Sequence, residues 1–393
     1  MKSDPVVILS ARRTPVGAFQ GAFATLSAPE LGAVAIKAAV ADSGMKASEI
    51  DEVIMGCVLS AGIGQAPARQ AALGAGLPTS TPSTTVNKMC GSAMRAVMQG
   101  ADQILAGNAQ VVVAGGIESM TNAPYLLPKA RAGYRMGNQE VLDHMFFDGL
   151  QSPWDGKLMG CFAEATSEKY AFTRQAQDEF AAESVRRALA AVNEGTFKAE
   201  IAPVTAKTRK GEVVVDKDET PFTLDVTKIP TLKPAFKKDG TVTAASSSSI
   251  SDGAAAVVLA RESFAASRNL KPLARILGYA SFAREPEWFT LAPVGAIQKL
   301  LAQLSWSPKD VDLFEINEAF AAVPMAAMKD LSLEHAKVNV NGGACALGHP
   351  IGATGARILT TLIHALKARG KKRGIASLCI GGGEATAIAV ELM

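Results

Sequence analysis

Two cysteines and one histidine stand where a reactive side chain could act. Cys90 lies directly before a run with helical spacing, so the helix dipole and unpaired backbone N–H groups would favour its thiolate. His349 sits in a glycine-dense turn, and Cys379 ends an apolar run that three glycines follow. Two thiols and an imidazole suit a reaction that needs both a nucleophile and a second general base. Each residue alone has a more ordinary role, as a small buried hydrophobe or a hydrogen-bonded core histidine.

Backbone and amide groups near these side chains could hold a developing negative charge. The glycine run 381–383 allows close approach, and its N–H groups can line an oxyanion site, as can those that open the helix after Cys90. Asn317 and Glu318 follow an apolar run, and ligands bind at strand ends in open α/β sheets. Turn capping is the ordinary role of such a polar pair. The segments indicate a catalytic site only in combination.

The composition argues against several classes of protein. The chain has 393 residues, 48% hydrophobic and 20% charged, with a net charge of +3, so nothing demands nucleic acid or a membrane as a partner. No stretch approaches the roughly 18 apolar residues of a membrane span, and the first residues lack the form of a secretory signal. The five cysteines and four histidines show no disulfide or metal-site spacing. We therefore expect a cytoplasmic protein with free thiols and no metal.

The elements that must position these residues follow from the apolar pattern. Short β-branched runs alternate with helical patterns, which predicts an α/β sheet covered on both faces. Strands are predicted near residues 6, 52, 110, 254, 311, 337 and 375. The helix after Cys90 has apolar residues at helical spacing up to Leu105, with Gly107 placed to end it. A further helix over about 173–193 is ended by Gly195.

Weak internal similarity predicts two related halves. Segment 43–56 resembles segment 304–317, and two further pairs of segments recur in the same order. A different region, rich in Pro, Gly and Lys, separates the halves, and insertions of this size commonly carry binding surfaces or subunit contacts. The predicted organisation is an N-terminal α/β half over 1–118 completed by about 250–270, an inserted loop domain over 119–249 and a C-terminal α/β half over 271–393.

Along essentially its whole length the chain resembles the thiolase family. The resemblance rests on the segments NKMCGSAMRAV, GGIESMTNAPY, AGYRMG, SISDGAAAVVL, NEAF, NGGACALGHPIGATGARIL and CIGGG. Their joint occurrence in this order is specific, whereas CIGGG or NEAF alone would not be. The resemblance implies an α/β protein with the duplicated, five-layered αβαβα thiolase fold and an inserted loop domain. Within the family the chain looks most like the enzymes that join two acetyl-CoA molecules.

By this resemblance five residues carry the chemistry. Cys90 would hold the acetyl group as a thioester, and His349 would activate this thiol and polarise the substrate carbonyl. Cys379 would take the α-proton from the second acetyl-CoA. Asn317 would hold a water that makes one oxyanion hole with His349, and the N–H groups of Cys90 and Gly381 would make the other. The implied reaction forms acetoacetyl-CoA and coenzyme A from two acetyl-CoA by ping-pong transfer, and also runs in reverse as thiolysis.

The resemblance also implies a channel for coenzyme A thioesters, which are substrates, with no permanently bound cofactor. The residues expected along this channel are Ser248, Met159, Leu150, Phe320 and Ala319. Phe289 is expected to keep the acyl pocket short. Four lysines could meet the nucleotide phosphates, although solvated surface is their more common role, and they are Lys207, Lys210, Lys228 and Lys233. A homotetramer, a dimer of dimers contacting through the inserted region, is the implied assembly.

Four positions depart from the family's commoner pattern, and they are Leu158, Phe222, Ser246 and Glu384. They bear on acyl length and coenzyme A contacts, because none of them is a catalytic position. Three other functions stay open at this point. A degradative 3-ketoacyl-CoA thiolase would accept longer chains, and a non-catalytic protein on the same scaffold would bind coenzyme A or acyl chains without reaction. A dinucleotide-dependent oxidoreductase is disfavoured because no G-x-G-x-x-G motif opens a first βα unit.

Overall fold

The computed structural model describes residues 4–208 and 211–393. Its strands are β1 Val6–Arg13, β2 Gly17–Ala18, β3 Glu52–Gly56, β4 Ser83–Val86, β5 Val111–Ser119, β6 Tyr125–Leu126, β7 Leu142–Asp143, β8 Val204–Thr208, β9 Gly211–Val215, β10 Ser251–Arg261, β11 Ala274–Ala283, β12 Leu313–Ile316, β13 Arg373–Ile380 and β14 Glu384–Leu392. Its α-helices are α1 Ala28–Ser43, α2 Pro67–Gly74, α3 Ser92–Ala106, α4 Met159–Tyr170, α5 Arg174–Asn193, α6 Glu262–Ser267, α7 Ala292–Leu304, α8 Ala322–Leu331, α9 Ala344–Leu347 and α10 Thr354–Ala368. A π-helical turn spans Met145–Leu150.

Two half-sheets with matching strand order meet at their first strands. The order is β4-β3-β5-β10-β1 in one half and β12-β13-β14-β11 in the other. The halves join where β1 pairs antiparallel with β11 through Val7–Arg275 and Ile8–Ala274. The predicted strand near 337 is wrong as a full strand, because Val338 makes only a single parallel bridge to Phe314 of β12. That bridge occupies the edge that β4 occupies in the other half.

The helices complete five layers. Helix α3 packs on β3, β5 and β10, whereas α10 packs on β12, β13 and β14, and the two helices contact each other between the half-sheets. Helices α1 and α2 cover the outer face of the first half-sheet, and α7, with α8 against it, covers the outer face of the second. Separate clusters of buried apolar side chains fill the central layer and the two outer layers. The predicted αβαβα architecture is therefore confirmed.

The helix ends follow local sequence signals. Ser27 and Glu30 form a capping box at the start of α1, and Thr173 accepts from the third residue of α5 as its N-cap. Gly107 ends α3 with a left-handed φ of +82°, and Gly195 follows α5 with a φ of +76°. The predicted helices after Cys90 and over 173–193 are thus confirmed.

The segment between β5 and β10 lies outside the large sheet. It contains α4, α5, the π-helical turn and two small hairpins, β6–β7 and β8–β9. Strand β10 then returns to pair with β1 and β5. Within the described residues, no helix combines the length and the apolar character that crossing a bilayer requires.

Gly116 of β5 should be essential for the contact between the sheet and the turn that carries His349. A Cβ at this position would lie 2.1 Å from the Gly352 carbonyl oxygen and 2.6 Å from Ala93 Cβ, both in well-packed surroundings. We expect Gly116→Ala to lower the free energy of unfolding by about 1–3 kcal/mol, because the backbone must move to relieve the overlap. Gly253→Ala is the control, since its nearest neighbour is 3.4 Å away. Equal denaturation midpoints for the two variants would contradict this packing.

Candidate active site

Cys90 lies in a tight turn between β4 and α3, two residues before the helix begins. The preceding Met89 has a left-handed φ of +47°, which is rare for a residue with a side chain. The turn is held by its own side chains. Asn87 Oδ1 accepts the Met89 N–H at 2.9 Å, and Ser92 Oγ accepts the Lys88 N–H at 2.9 Å. The strained turn therefore fixes the position of the thiol at the start of α3.

A single cavity of about 220 Å³ joins most of the predicted residues. Cys90, His349 and Gly381 line it. All five residues predicted for the channel line it as well, namely Ser248, Met159, Leu150, Phe320 and Ala319. Leu158 and Phe289 also belong to the wall, together with side chains that sequence analysis did not single out, namely Met120, Phe146, Phe236, Ile250 and Ile351. The wall is predominantly apolar, and the reactive groups and the serine run 247–249 are its few polar features.

The hydrogen bonds of His349 fix its tautomer. Thr354 Oγ1 donates to the Pro350 carbonyl at 2.9 Å, so its single proton is engaged. It must therefore accept from His349 Nδ1, which is 2.7 Å away. Nε2 is then left without a proton, free to accept one. Thr354, which sequence analysis did not identify, thus prepares the imidazole to act as a base.

Asn317 is buried immediately behind His349. Its Nδ2 lies 3.5 Å from His349 Nε2, and Arg357 Nη2 donates to its Oδ1 at 3.4 Å. Because a guanidinium can only donate, Arg357 holds the amide with its oxygen away from the imidazole and its N–H₂ group towards it. Arg357 was also missed from sequence, because an arginine inside an amphipathic helix normally indicates an exposed face.

Cys379 is the second-last residue of β13 and is fully buried, and it is not among the residues that line the cavity. Burial raises the pKa of its thiol well above the usual range, and the charge of Cys90 acts in the same direction. Cys379 lies two residues before Gly381, which lines the cavity together with Cys90. The three glycines that follow form the turn to β14, and Gly382 and Gly383 have left-handed φ values of +96° and +91°. The structure therefore brings Cys90, His349, Asn317, Cys379 and Gly381 together.

The expected low pKa of Cys90 is wrong. Burial raises the pKa of this thiol to about 11, because the surrounding protein withholds water from the thiolate. Hydrogen bonds from the N–H groups of Gly381 and of Cys90 itself lower it, and the nearby charge of Glu118 raises it further. Burial, followed by the charge of Arg357, lowers the pKa of His349 to about 3. At Cys90, desolvation outweighs the stabilisation of the thiolate that the start of α3 provides. Cys90 and His349 are therefore both uncharged at neutral pH.

Glu118 connects the loops around the thiol. Its buried carboxylate accepts the N–H groups of Val58, Leu59 and Gly352 at 3.1, 3.1 and 2.8 Å. Burial raises the pKa of this carboxyl to about 7, although these donors oppose the shift. Glu118 therefore ties the end of β5 to the turn after His349. Sequence analysis used this residue only to align the two halves.

Three exposed lysines lie among the residues expected near nucleotide phosphates, namely Lys207, Lys228 and Lys233. Lys210 lies outside the described residues. No group of three or more His, Cys, Asp or Glu side chains placed to hold a metal ion occurs in the part of the chain that the structure describes.

Fold and site together define a class of protein. A duplicated α/β scaffold places a thiol, a neutral imidazole and backbone N–H donors on the wall of an apolar cavity, an arrangement suited to transferring acyl groups through a cysteine. Residues 6–263 match the thiolase N-terminal domain and residues 270–392 match the thiolase C-terminal domain. The chain belongs to the thiolase family, and it is an acyltransferase.

Relatives match over nearly the full length of the chain. It is 51% identical to an acetyl-CoA acetyltransferase of Cupriavidus necator, covering 98% of this chain and 99% of the relative. It is 50% identical to the Escherichia coli acetyl-CoA acetyltransferase, covering 98% of each. A solved Bacillus anthracis acetyl-CoA acetyltransferase superimposes with a TM-score of 0.97 at 44% identity, covering 99% of each chain. An Ascaris suum thiolase in complex with coenzyme A has a TM-score of 0.94 at 44% identity, covering 99% of this chain and all of that one.

The raised pKa of Cys90 predicts how its alkylation depends on pH. Iodoacetamide reacts with the thiolate, whose fraction grows about tenfold per pH unit below the pKa. The rate at Cys90 should therefore climb from pH 7 to pH 10, and acetyl-CoA should protect the residue. Peptide mass spectrometry measures this rate, with Cys161, which does not line the cavity, in the same sample as the internal comparison. A plateau near pH 7 would mean that the thiolate is stabilised after all.

Proposed function

We propose that this thiolase acts as an acetyl-CoA acetyltransferase, joining two acetyl-CoA molecules to acetoacetyl-CoA and coenzyme A, with thiolysis as the reverse reaction. The single observation that carries the proposal is one cavity whose wall holds Cys90, His349 and Gly381 beside all five predicted channel residues. Relatives named for this activity, about 50% identical over nearly the whole chain, support it. Coenzyme A thioesters enter as substrates.

The first half-reaction acetylates Cys90. His349 Nε2 accepts the thiol proton as the sulfur attacks the carbonyl carbon of acetyl-CoA. The N–H groups of Cys90 and Gly381, which lower the pKa of this thiol, would hold the oxyanion. The new carbon–sulfur bond remains when the tetrahedral intermediate expels coenzyme A, whose thiolate takes the proton back from His349. Because the imidazole begins neutral, it can act first as the base and then as the acid.

The second half-reaction forms a carbon–carbon bond. The thiolate of Cys379 removes the α-proton of a second acetyl-CoA, and burial makes that thiolate a strong base. A water on Asn317 would donate to the enolate oxygen, and His349 joins it only when its Nε2 carries a proton. The enolate carbon then attacks the acetyl carbon on Cys90, and the Cys90 sulfur leaves as the thiolate. It takes the proton that Cys379 removed, so Cys90 is again a thiol and Cys379 again the thiolate. Arg357 keeps the donor end of the Asn317 amide facing this site.

The proposal extends to assembly and location. Large apolar side chains of the inserted segment are strongly exposed, and they are Tyr125, Leu127, Met136, Val141 and Trp154. Several large exposed apolar side chains in one inserted segment favour a subunit contact there. We assign it to a homotetramer, a dimer of dimers. No permanent cofactor is needed for the steps above, and the cytoplasm is the proposed location.

A degradative thiolase of broader chain length is the second candidate, and aromatic packing argues against it. Phe289 makes edge-to-face contacts with Phe162 at 6.2 Å and with Phe320 at 6.5 Å between ring centroids. Phe236 packs in the same way against Phe320 at 5.9 Å. Rings held by several neighbours do not readily move aside, so the acyl end of the cavity should stay short.

A non-catalytic binding protein would not need the complete set of reactive groups.

Substrate length tests the main proposal directly. With free coenzyme A, kcat/KM for thiolysis of acetoacetyl-CoA should exceed that for 3-ketodecanoyl-CoA by at least about tenfold, because the aromatic wall blocks the longer chain. Phe289→Ala should narrow this ratio, whereas Phe146→Ala, at the exposed rim of the cavity, should leave it unchanged. A preference of the native enzyme for the longer substrate would favour the degradative function.

Replacing Cys379 separates the two half-reactions. Cys379→Ser should retain acetyl transfer from acetyl-CoA to Cys90, detected by mass spectrometry, because that step uses His349 as its base. Condensation should fall by about 10²–10⁴-fold, since a hydroxyl cannot replace the thiolate as a base. Cys161→Ser serves as the control, because its thiol does not line the cavity. Loss of both steps in Cys379→Ser, with native stability retained, would show that the roles are misassigned.

A further inference from the structure

The two N–H groups that we place around the oxyanion of the Cys90 half-reaction come from different halves of the chain. The Cys90 N–H belongs to the turn between β4 and α3, and the Gly381 N–H belongs to the hairpin between β13 and β14. Both must reach one oxygen, and such donors work at about 2.7–3.1 Å. The distance between the two turns therefore controls whether the oxyanion hole is complete. Something must hold that distance.

An ion pair crosses this seam between the halves. Lys88 Nζ bonds to a carboxylate oxygen of Glu384, with Lys88 two residues before Cys90 and Glu384 three residues after Gly381. The two residues are 296 positions apart in the chain. Across the same seam the Gly91 backbone packs closely against the Ile380 side chain, since a Cβ on Gly91 would lie 2.3 Å from Ile380 Cδ1.

Both partners are rigidly attached to the turns they join. The Lys88 N–H donates to Ser92 Oγ at 2.9 Å, and its carbonyl accepts the Gly91 N–H at 3.1 Å. Glu384 is the first residue of β14 and pairs with Ile380 on one side and Ala283 on the other. The backbone segments that carry the two charges are therefore the same ordered turns that carry the N–H groups of Cys90 and Gly381.

We propose that the Lys88–Glu384 ion pair is a positioning pair that sets the spacing of the two oxyanion donors across the seam. This inference rests on the proposed function, because it assumes the oxyanion role of the Cys90 and Gly381 N–H groups. The side chains are 25% and 38% exposed, so dissolved salt can reach and screen the pair. The turnover rate of the enzyme consequently depends on ionic strength through this pair.

Removal of the ion pair should lower the turnover rate modestly and leave the folding stability nearly unchanged. Partly exposed ion pairs contribute little to folding stability, so removing this one should scarcely change the unfolding temperature. A rate that depends on sub-ångström placement of donors is more sensitive than stability is. We expect Glu384→Gln and Lys88→Gln each to lower kcat about two- to fivefold with little change in KM, and each to remove most of the salt dependence of kcat.

The experiment measures kcat for thiolysis at saturating acetoacetyl-CoA and coenzyme A, in about 50 and 500 mM KCl. Saturating substrate is required because coenzyme A is itself charged, so KM depends on salt for other reasons. The double variant Lys88→Gln/Glu384→Gln should resemble either single variant, since both remove one interaction. The charge swap Lys88→Glu/Glu384→Lys should recover at least half of the native kcat together with its salt dependence.

A matched control lies at the other end of the same hairpin. Arg373 bonds Glu391 at 2.9 Å between β13 and β14, far from the cavity, and Arg373→Gln should leave both kcat and its salt response unchanged. Native kcat in Glu384→Gln, or a charge swap no better than the single variants, would overturn the proposal. A loss in Lys88→Gln alone would also overturn it, because Lys88 would then act on substrate without its partner. An inactive native enzyme would instead refute the proposed function.

Discussion

Desolvation of the reactive groups by the apolar cavity wall is the constraint on which the site depends. It raises the pKa of Cys90 to about 11 and, together with Arg357, lowers the pKa of His349 to about 3, so the two meet as uncharged groups. A neutral pair does not separate charge until a thioester is bound and an oxyanion forms within reach of backbone donors. Cys90 therefore stays uncharged until the substrate is bound, and proton transfer is coupled to bond formation. An apolar cavity is what makes this coupling possible.

The duplicated fold explains how groups so distant in sequence meet. Cys90 precedes α3 in the first half, and His349 precedes α10 in the second. These two helices contact each other in the central layer, so their starting turns are held by one shared core. Cys379 lies near the end of β13, and Asn317 directly follows the adjacent strand β12. The site is thus a property of the seam between halves, and its precision depends on contacts that cross the seam.

The sequence predicted the layered fold and the type of chemistry well. It predicted individual strands, the pKa of Cys90 and the residues that support the site less well. Long periodic segments such as α3 and α5 were predictable, because their apolar spacing and their caps agree. Strands β11 and β14 were not recognised, since their alternation of small and polar residues lacks a continuous β-branched run. The pKa of Cys90 was misjudged because position at a helix start is visible in sequence, whereas burial depends on the whole fold. Thr354 and Arg357 were missed because their roles exist only through tertiary hydrogen bonds.

A buried network of charges behind the site follows from the same logic. Arg357, Glu315 and Glu318 are all buried, and burial raises the pKa of Glu315 to about 8. Within the described residues, Nε and Nη1 of Arg357 and Oε1 of Glu315 have no hydrogen-bond partner. The hydrogen bonding of this network is therefore incomplete, and a gain in stability does not explain the network. Apolar side chains of similar volume would fold at least as well. Arg357 instead holds the Asn317 amide in one orientation and adds to the effect of burial in keeping His349 neutral. The network is therefore better explained as a device that specifies the geometry of the site than as one that stabilises the fold.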